Sequence, residues 1–252
     1  MAVVAGYVAC AYLALPFFWR HYEHLPAFAS MPTVTLGTDG LPGDPLNIAL
    51  VGSETEVHQA FAAAGWKPAD PITLRSSLAI AESVAFDRPD PAAPVSNLLL
   101  FGRRQDLAFE KEVGASASRR NHVRLWRTEL RAPDERPVWV GGATFDRGSG
   151  FSHRTGQITH HIAPDIDAER DTLIHDLTTA GRLTALYDVT GVGPTLNGRN
   201  AAGDRYFTDG ELSVGVLAPE DAVGRSTVKV LTSPLPVVIK NQLWSWIRPV
   251  LE

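Results

Sequence analysis

The fold is decided by the central part of the chain, residues 98–145, which read LLLFGRRQDLAFEKEVGASASRRNHVRLWRTELRAPDERPVWVGGATF. Four apolar or alternating runs follow one another here: Leu98–Phe101, Leu107–Val113, His122–Leu130 and Val138–Phe145. The polar segments between them are short, which favours antiparallel strands, whereas repeated βαβ units need a helix between successive strands. The stretch therefore predicts an antiparallel sheet.

Helical patterns lie on both sides of these strands. Ser53 and Glu56 have the spacing of a capping box, which predicts a helix that begins there and stops at Gly65. The other predicted elements are strands at Asn47–Val51, Gln157–Ile162 and Leu183–Thr190 and helices at Ile72–Phe86 and Asp165–Ala180. The expected fold is α+β, a mostly antiparallel sheet flanked by helices.

Composition restricts the class of protein. The 252 residues include 23 Lys and Arg and 28 Asp and Glu, a formal net charge of -5. Nucleic-acid binding normally needs a cationic excess, so no nucleic-acid partner is expected. Cys10 is the sole cysteine, which excludes an internal disulfide and a cysteine-ligated zinc site. We expect one soluble globular domain whose membrane contacts are local.

The N-terminal segment predicts a membrane anchor. Residues 2–19 carry no charge, and as a helix they would span about 27 Å of a hydrocarbon core about 30 Å thick. The segment ends in aromatic residues followed by Arg20, as expected where a helix leaves a bilayer. A signal peptide cleaved near Ala27 or Ala29 and a buried core helix are the alternatives. We expect residues 1–22 to form a single-pass N-terminal membrane helix, with the side occupied by the domain undetermined.

The rest of the chain divides into three parts. Residues 23–45 contain several prolines and glycines and show little periodicity, which predicts a linker. The domain is expected at residues 46–220, followed by a C-terminal tail at residues 221–252. Within the tail, Pro236–Leu251 is amphipathic and too short and too charged to span a membrane. This helix either lies flat on the membrane or packs on the core of the domain.

Several long runs of sequence resemble the LssY C-terminal family. They include PLNIALVGSETE (45–56), NHVRLWR (121–127) and VWVGGATFDRGSGFSHRTGQITHHIAPDIDAERD (138–171), and the resemblance covers about residues 45–218. Related domains are appended to membrane proteins of the DedA and type-2 phosphatidic acid phosphatase kinds. The resemblance therefore implies a role beside a membrane, with membrane lipid or such a membrane protein as partner. It implies no catalytic residue, because the catalytic signature of that phosphatase is absent.

Histidines and carboxylates are the candidates for catalysis. His160 and His161 come first, because imidazole acts as an acid, a base or a metal ligand near neutral pH. Successive side chains of a strand point to opposite faces, so these two are not expected to share a metal ion, and no metal site is assigned. Asp165, His122 and Asp146 complete the candidates. The alternative role of Asp165 is to cap the helix that follows it.

A second set of candidates is cationic and would bind an anion. The set is Arg103, Arg119, Arg120 and Arg124. Alternation places Arg124 beside Trp126 on one strand face, and an arginine beside an aromatic ring suits a phosphate or carboxylate, a phospholipid headgroup among them. The alternative is ion pairing with carboxylates of neighbouring strands, which needs no ligand.

Complete catalytic motifs are absent from the sequence: there is no GxGxxG, GxxxxGK[ST], GxSxG or HExxH pattern. The leading hypothesis is therefore a membrane-anchored accessory or ligand-binding domain. The alternative is a hydrolase acting on a phosphorylated or lipid-derived substrate, with His160 or His161 as the base and Arg120 or Arg124 holding the anion. The sequence does not decide whether the chain is an enzyme, and it implies no particular cofactor.

Overall fold

The computed structural model describes residues 2–14, 31–37, 39–69, 98–114, 116–154, 156, 158–190, 197–219 and 227–251. The helices are α1 Ala2–Ala9, α2 Glu54–Ala63, α3 Ile166–Thr179 and α4 Leu235–Leu251, with a π-helical turn, Cys10–Ala14, after α1. The strands are β1 Val34–Gly37, β2 Pro42–Pro45, β3 Ile48–Val51, β4 Lys67–Pro68, β5 Leu98–Leu100, β6 Arg103–Arg104, β7 Leu107–Val113, β8 Ser116–Arg131, β9 Pro137–Phe151, β10 Ile158–Ile162, β11 Leu183–Thr190, β12 Asn197–Arg199, β13 Arg205–Phe207, β14 Glu211–Leu217 and β15 Lys229–Val230.

The main sheet contains nine of the described strands. Their order is β15-β11-β14-β3-β9-β8-β7-β4, and β10 pairs with the far end of β9. Neighbouring strands are antiparallel except for β14 with β3 and β11 with β15, which are parallel. The expected α+β class with a mostly antiparallel sheet is thereby confirmed.

Strand β3 is buried on both faces of this sheet. Ile48 and Leu50 belong to a core shared with helices α2 and α3. Ala49 and Val51 belong to a second core, shared with the smaller sheet of order β2-β1-β5-β6. A strand covered on both faces needs apolar side chains at every position, which explains its continuous apolar run.

Two of the predicted helix starts are confirmed. Ser53 Oγ accepts a hydrogen bond from the Glu56 backbone N–H, and the Glu56 carboxylate accepts one from the Ser53 N–H, so the capping box at the start of α2 is complete. At the start of α3, Asp165 accepts a hydrogen bond from the Ala168 N–H. Both caps satisfy N–H groups that the first helical turn leaves without a backbone partner.

The predicted linker needs correction. Within residues 23–45, the segments Val34–Gly37 and Pro42–Pro45 form β1 and β2 of the smaller sheet. Strand β2 is at the edge of that sheet, where the missing N–H of a proline costs no ladder hydrogen bond. The folded domain therefore begins before residue 46. The helix predicted at Ile72–Phe86 lies outside the described residues.

The N-terminal segment is helical where the structure describes it. Helix α1 and the π-helical turn cover residues 2–14, and residues 15–30 lie outside the described part. None of the described helices is both long enough and apolar enough to cross a bilayer. The predicted membrane-spanning helix thus has no support from the described residues.

The C-terminal helix α4 packs on the domain through one side. Trp244 is buried, and its Nε1–H donates a hydrogen bond to Asp167 Oδ2 at 3.1 Å. Lys240 Nζ lies 2.7 Å from Glu211 Oε1, and Arg248 is paired with a carboxylate at the start of α3. Helix α4, the described helix of the tail assigned to residues 221–252, therefore packs on the domain, as the second alternative for this helix predicts.

Candidate functional site

Two long neighbouring strands bring polar side chains to one face of the main sheet. The register of β8 and β9 pairs Arg120 with Asp146 and His122 with Thr144, and Arg124 lies two residues further along β8. Val123 and Leu125, on the other face of β8, contribute to the core under the helices. The alternation predicted for β8 is confirmed, and the result is a polar cluster at one end of the sheet.

Asp146 lies at the centre of this polar cluster. Its Oδ2 is 2.7 Å from His122 Nε2, 3.1 Å from His160 Nδ1 and 3.9 Å from Arg120 Nε. The His122 contact is close but does not have hydrogen-bond geometry, and Asp146 Oδ1 has no hydrogen-bond partner among the described residues. Asp146, His122 and Arg120 are all buried. A buried carboxylate in this position interacts electrostatically with both imidazole rings.

Burial and the neighbouring side chains together set the protonation states in the polar cluster. It lowers the pKa of His122 to about 3, although the Asp146 carboxylate acts in the opposite direction. Burial alone would raise the pKa of Asp146, but His122, His160 and Arg120 hold it below its ordinary value. Near neutral pH, a neutral His122 therefore lies beside an ionised Asp146.

Three of the four candidate anion-binding arginines form ion pairs with carboxylates. The pairs are Arg120 with Glu110 at 3.0 Å, Arg124 with Asp44 at 2.6 Å, and Arg103 with Asp106. Because Arg120 and Arg124 are buried in their pairs, an incoming phosphate would have to displace a carboxylate to reach them. Arg119 is exposed, and its guanidinium lies 5.6 Å from the centroid of the Phe145 ring.

The adjacent histidines of β10 have different partners. His160 Nδ1 contacts Asp146, whereas His161 Nδ1 lies 2.8 Å from Asp204 Oδ1. Each of these histidines thus forms a His–Asp dyad. Asp165 belongs to neither dyad, because it caps α3 and accepts a hydrogen bond from Arg248. The structure thus brings His122, Asp146 and His160 together and leaves Asp165 in a separate, structural position.

Three residues of this region are not among the candidates from sequence. Asp44 falls in the predicted linker, and His153 follows a glycine-rich strand end without a motif of its own. Asp204 is far from His161 in sequence and reaches it through the loop between β12 and β13. The signal for that loop is the composition of residues 200–204, Asn-Ala-Ala-Gly-Asp, which is typical of a tight turn.

Comparison of the chain with family models identifies the family of the domain that contains the polar cluster. The family model described as LssY C-terminus matches residues 28–212. The chain belongs to the LssY C-terminus family. The match begins before β1, ends within β14 and includes the whole polar cluster. No curated protein and no solved structure matches the chain.

This LssY C-terminal domain has another buried carboxylate, on the opposite face of the main sheet from Asp146. Glu169 of α3 is buried and lines a cavity of about 520 Å³ together with Asn121, Phe145 and Asp165. Burial, reinforced by two other carboxylates, raises the pKa of Glu169 to about 9. Its Oε1 has no hydrogen-bond partner among the described residues. Glu169 is therefore protonated near neutral pH.

Proposed function

We propose that this LssY C-terminal domain is a membrane-associated accessory domain that binds the bilayer through the outer side of helix α4. The observation that carries this proposal is a row of exposed apolar side chains along the helix. The row consists of Leu235, Val238, Ile239, Leu243, Trp246, Ile247, Val250 and Leu251. Their spacing of three and four residues puts them on one side of α4.

The orientation of α4 is the reverse of that in most amphipathic surface helices. Its two charged residues, Lys240 and Arg248, bind carboxylates of the domain, whereas Trp246 is 66% exposed and Val250 is 82% exposed. A contiguous apolar patch on a soluble domain marks a contact with a partner or a membrane. We therefore propose that this row contacts an apolar partner.

A lipid bilayer is the partner best matched to this row. A tryptophan among aliphatic side chains suits the region between headgroups and acyl chains. The same chain carries a second exposed apolar helix, α1, with Val3 and Tyr7 open to solvent, and insertion of that segment would hold α4 near a bilayer. Because Lys240 and Arg248 are already paired within the domain, binding by α4 should depend little on anionic lipid or on salt.

The proposal is tested with a polarity-sensitive fluorophore on α4. Cys10 is the sole native cysteine, so the full-length Cys10→Ser protein can carry one new cysteine, Val250→Cys, for labelling. Phosphatidylcholine vesicles should shift the emission of this label to shorter wavelength. The matched control is Leu36→Cys on β1, which is also exposed and should keep its aqueous emission.

Two outcomes would contradict membrane binding by α4. An aqueous emission at position 250 in protein that floats with the vesicles would show that α4 stays in water. A shift that appears without vesicles as the protein concentration rises would assign the row to a second copy of the chain.

The alternative, a hydrolase for a phosphorylated or lipid-derived substrate, is favoured by the two carboxylate-held histidines. In each dyad the carboxylate contacts Nδ1 and orients the ring, as in sites where Nε2 acts as a base. The burial of Arg120 and Arg124 in ion pairs counts against it. Hydrolysis of a phosphate ester by the purified protein, abolished in a folded His161→Ala variant, would establish the enzyme and displace the accessory role.

A further inference from the structure

The end of β9, strand β10 and the loop between β12 and β13 bring two imidazoles and one carboxylate together. His153 follows β9, His161 lies in β10, and Asp204 ends the loop. Each residue offers one ligand atom, and these three atoms lie within 4.8 Å of one another. Ligands of one metal ion are separated by about 3 to 4 Å, since each lies about 2.0 to 2.2 Å from the metal. Small side-chain adjustments therefore suffice for all three to bind one ion.

Asp204 is held in place by its own loop. Its backbone N–H donates to Asn200 Oδ1 at 2.9 Å, and its carbonyl accepts from the Asn200 N–H at 3.0 Å. The carboxylate Oδ2 accepts from the Ile162 N–H at 3.2 Å, which leaves Oδ1 directed at His161. A carboxylate fixed in this way is preorganised as a ligand or as the orienting partner of His161.

The loop and the turn after β9 are joined directly. The His153 N–H donates a hydrogen bond to the Ala202 carbonyl at 2.8 Å. Gly203 has a φ of +90°, and a Cβ at this position would lie 2.9 Å from the Cβ of His153. A glycine is therefore needed both for the backbone conformation and for the close approach. The close approach puts the His153 ring centroid 5.1 Å from that of His161.

We infer that His153, His161 and Asp204 form a binding site for a divalent transition-metal ion. Two imidazoles and one carboxylate suit zinc and its first-row neighbours, whereas calcium and magnesium prefer oxygen ligands alone. His153 is exposed and His161 is partly exposed, so an ion can reach the site from solvent. Three protein ligands leave a coordination position for water or for a ligand of the domain.

The site is separate from the polar cluster around Asp146. His160, the neighbour of His161, contacts Asp146 instead. Because adjacent residues of a strand point to opposite faces, His160 lies in the polar cluster and His161 lies in the metal site. The site also does not depend on α4, which contacts the domain elsewhere. Metal binding and membrane binding can therefore be tested independently.

Calorimetric titration of the untagged, chelator-treated full-length protein with Zn²⁺ tests the inference. We expect one ion per chain, and a loss of affinity of at least about tenfold in His153→Ala and in His161→Ala. His153 is exposed, so its replacement should leave the fold intact, which circular dichroism checks. The matched control is His175→Ala, an exposed histidine of α3, which should bind Zn²⁺ as the unaltered protein does.

Cobalt provides a second measurement, because the visible absorption of bound Co²⁺ reports imidazole and carboxylate ligands directly. That absorption should disappear in a folded His153→Ala protein and persist in His175→Ala. The inference is overturned if Zn²⁺ does not bind stoichiometrically, if His153→Ala binds it unchanged, or if His175→Ala loses as much affinity as His153→Ala.

Discussion

Replacing Arg124 by methionine should lower the free energy of unfolding by about 3 to 5 kcal/mol, because it leaves the buried Asp44 carboxylate without its cation. Arg124 Nη1 lies 2.6 Å from Asp44 Oδ2, and both side chains are at most 10% exposed. Burial already raises the pKa of Asp44, and Arg124 is the main group opposing that increase. Urea unfolding at neutral pH measures the loss.

Removing both charges should cost much less than removing one. In the double variant Asp44→Leu with Arg124→Met, no uncompensated charge remains, and buried ion pairs can be replaced by apolar side chains with little loss. Arg131→Met is the matched control, since Arg131 is an exposed arginine at the end of the same strand. Equal losses for Arg124→Met and Arg131→Met would show that the pair with Asp44 contributes nothing.

Replacing Glu169 by glutamine should stabilise the domain at alkaline pH. The folded state raises the pKa of Glu169 from 4.5 to about 9, chiefly through burial. Folding therefore favours the protonated carboxyl, so the contribution of Glu169 to stability is complete below pH 4.5 and is lost as the pH rises through 9. Glutamine keeps the shape of a protonated glutamate and has no proton to lose as the pH rises.

The expected gain is roughly 2 to 4 kcal/mol at about pH 8, and it should vanish near the pKa of an unfolded glutamate, about 4.3. Urea unfolding of the native and Glu169→Gln proteins at both pH values measures this difference. Glu129→Gln, an exposed residue of β8, should show no such pH-dependent gain. A Glu169→Gln protein that is equally destabilised at both pH values would mean that the carboxylate is ionised and stabilised by a partner.

The sequence predicts six of the nine described strands of the main sheet, from alternation or from a continuous apolar run, and does not predict β4, β14 and β15. Strand β7, Leu107–Val113, has the predicted bounds, and β11, Leu183–Thr190, also agrees. Strand β2 is not predicted, because Pro42 and Pro45 indicate a linker, and only its position at a sheet edge makes two prolines acceptable. Strands that are distant in sequence set this edge position, so the local sequence around β2 does not predict it.

The candidate site is predictable in part for the same reason. Alternation along β8 places His122 and Arg124 on one face, and the opposite orientation of adjacent strand residues separates His160 from His161. Their partners lie in other segments, and a loop residue such as Asp204 shows no pattern that relates it to β10. Contacts between a strand and a loop that is distant in sequence can therefore be identified only from the three-dimensional structure.

The position of β3 determines when folding can finish. Ile48 lies between Gly141 of β9 and Ser213 of β14, so residues from the beginning, the middle and the end of the domain must meet in one sheet. A ribosome releases β3 long before β14, and its apolar edge stays open in the growing chain. Pairings so distant in sequence form slowly. The nascent domain therefore needs protection from aggregation until the last strands emerge.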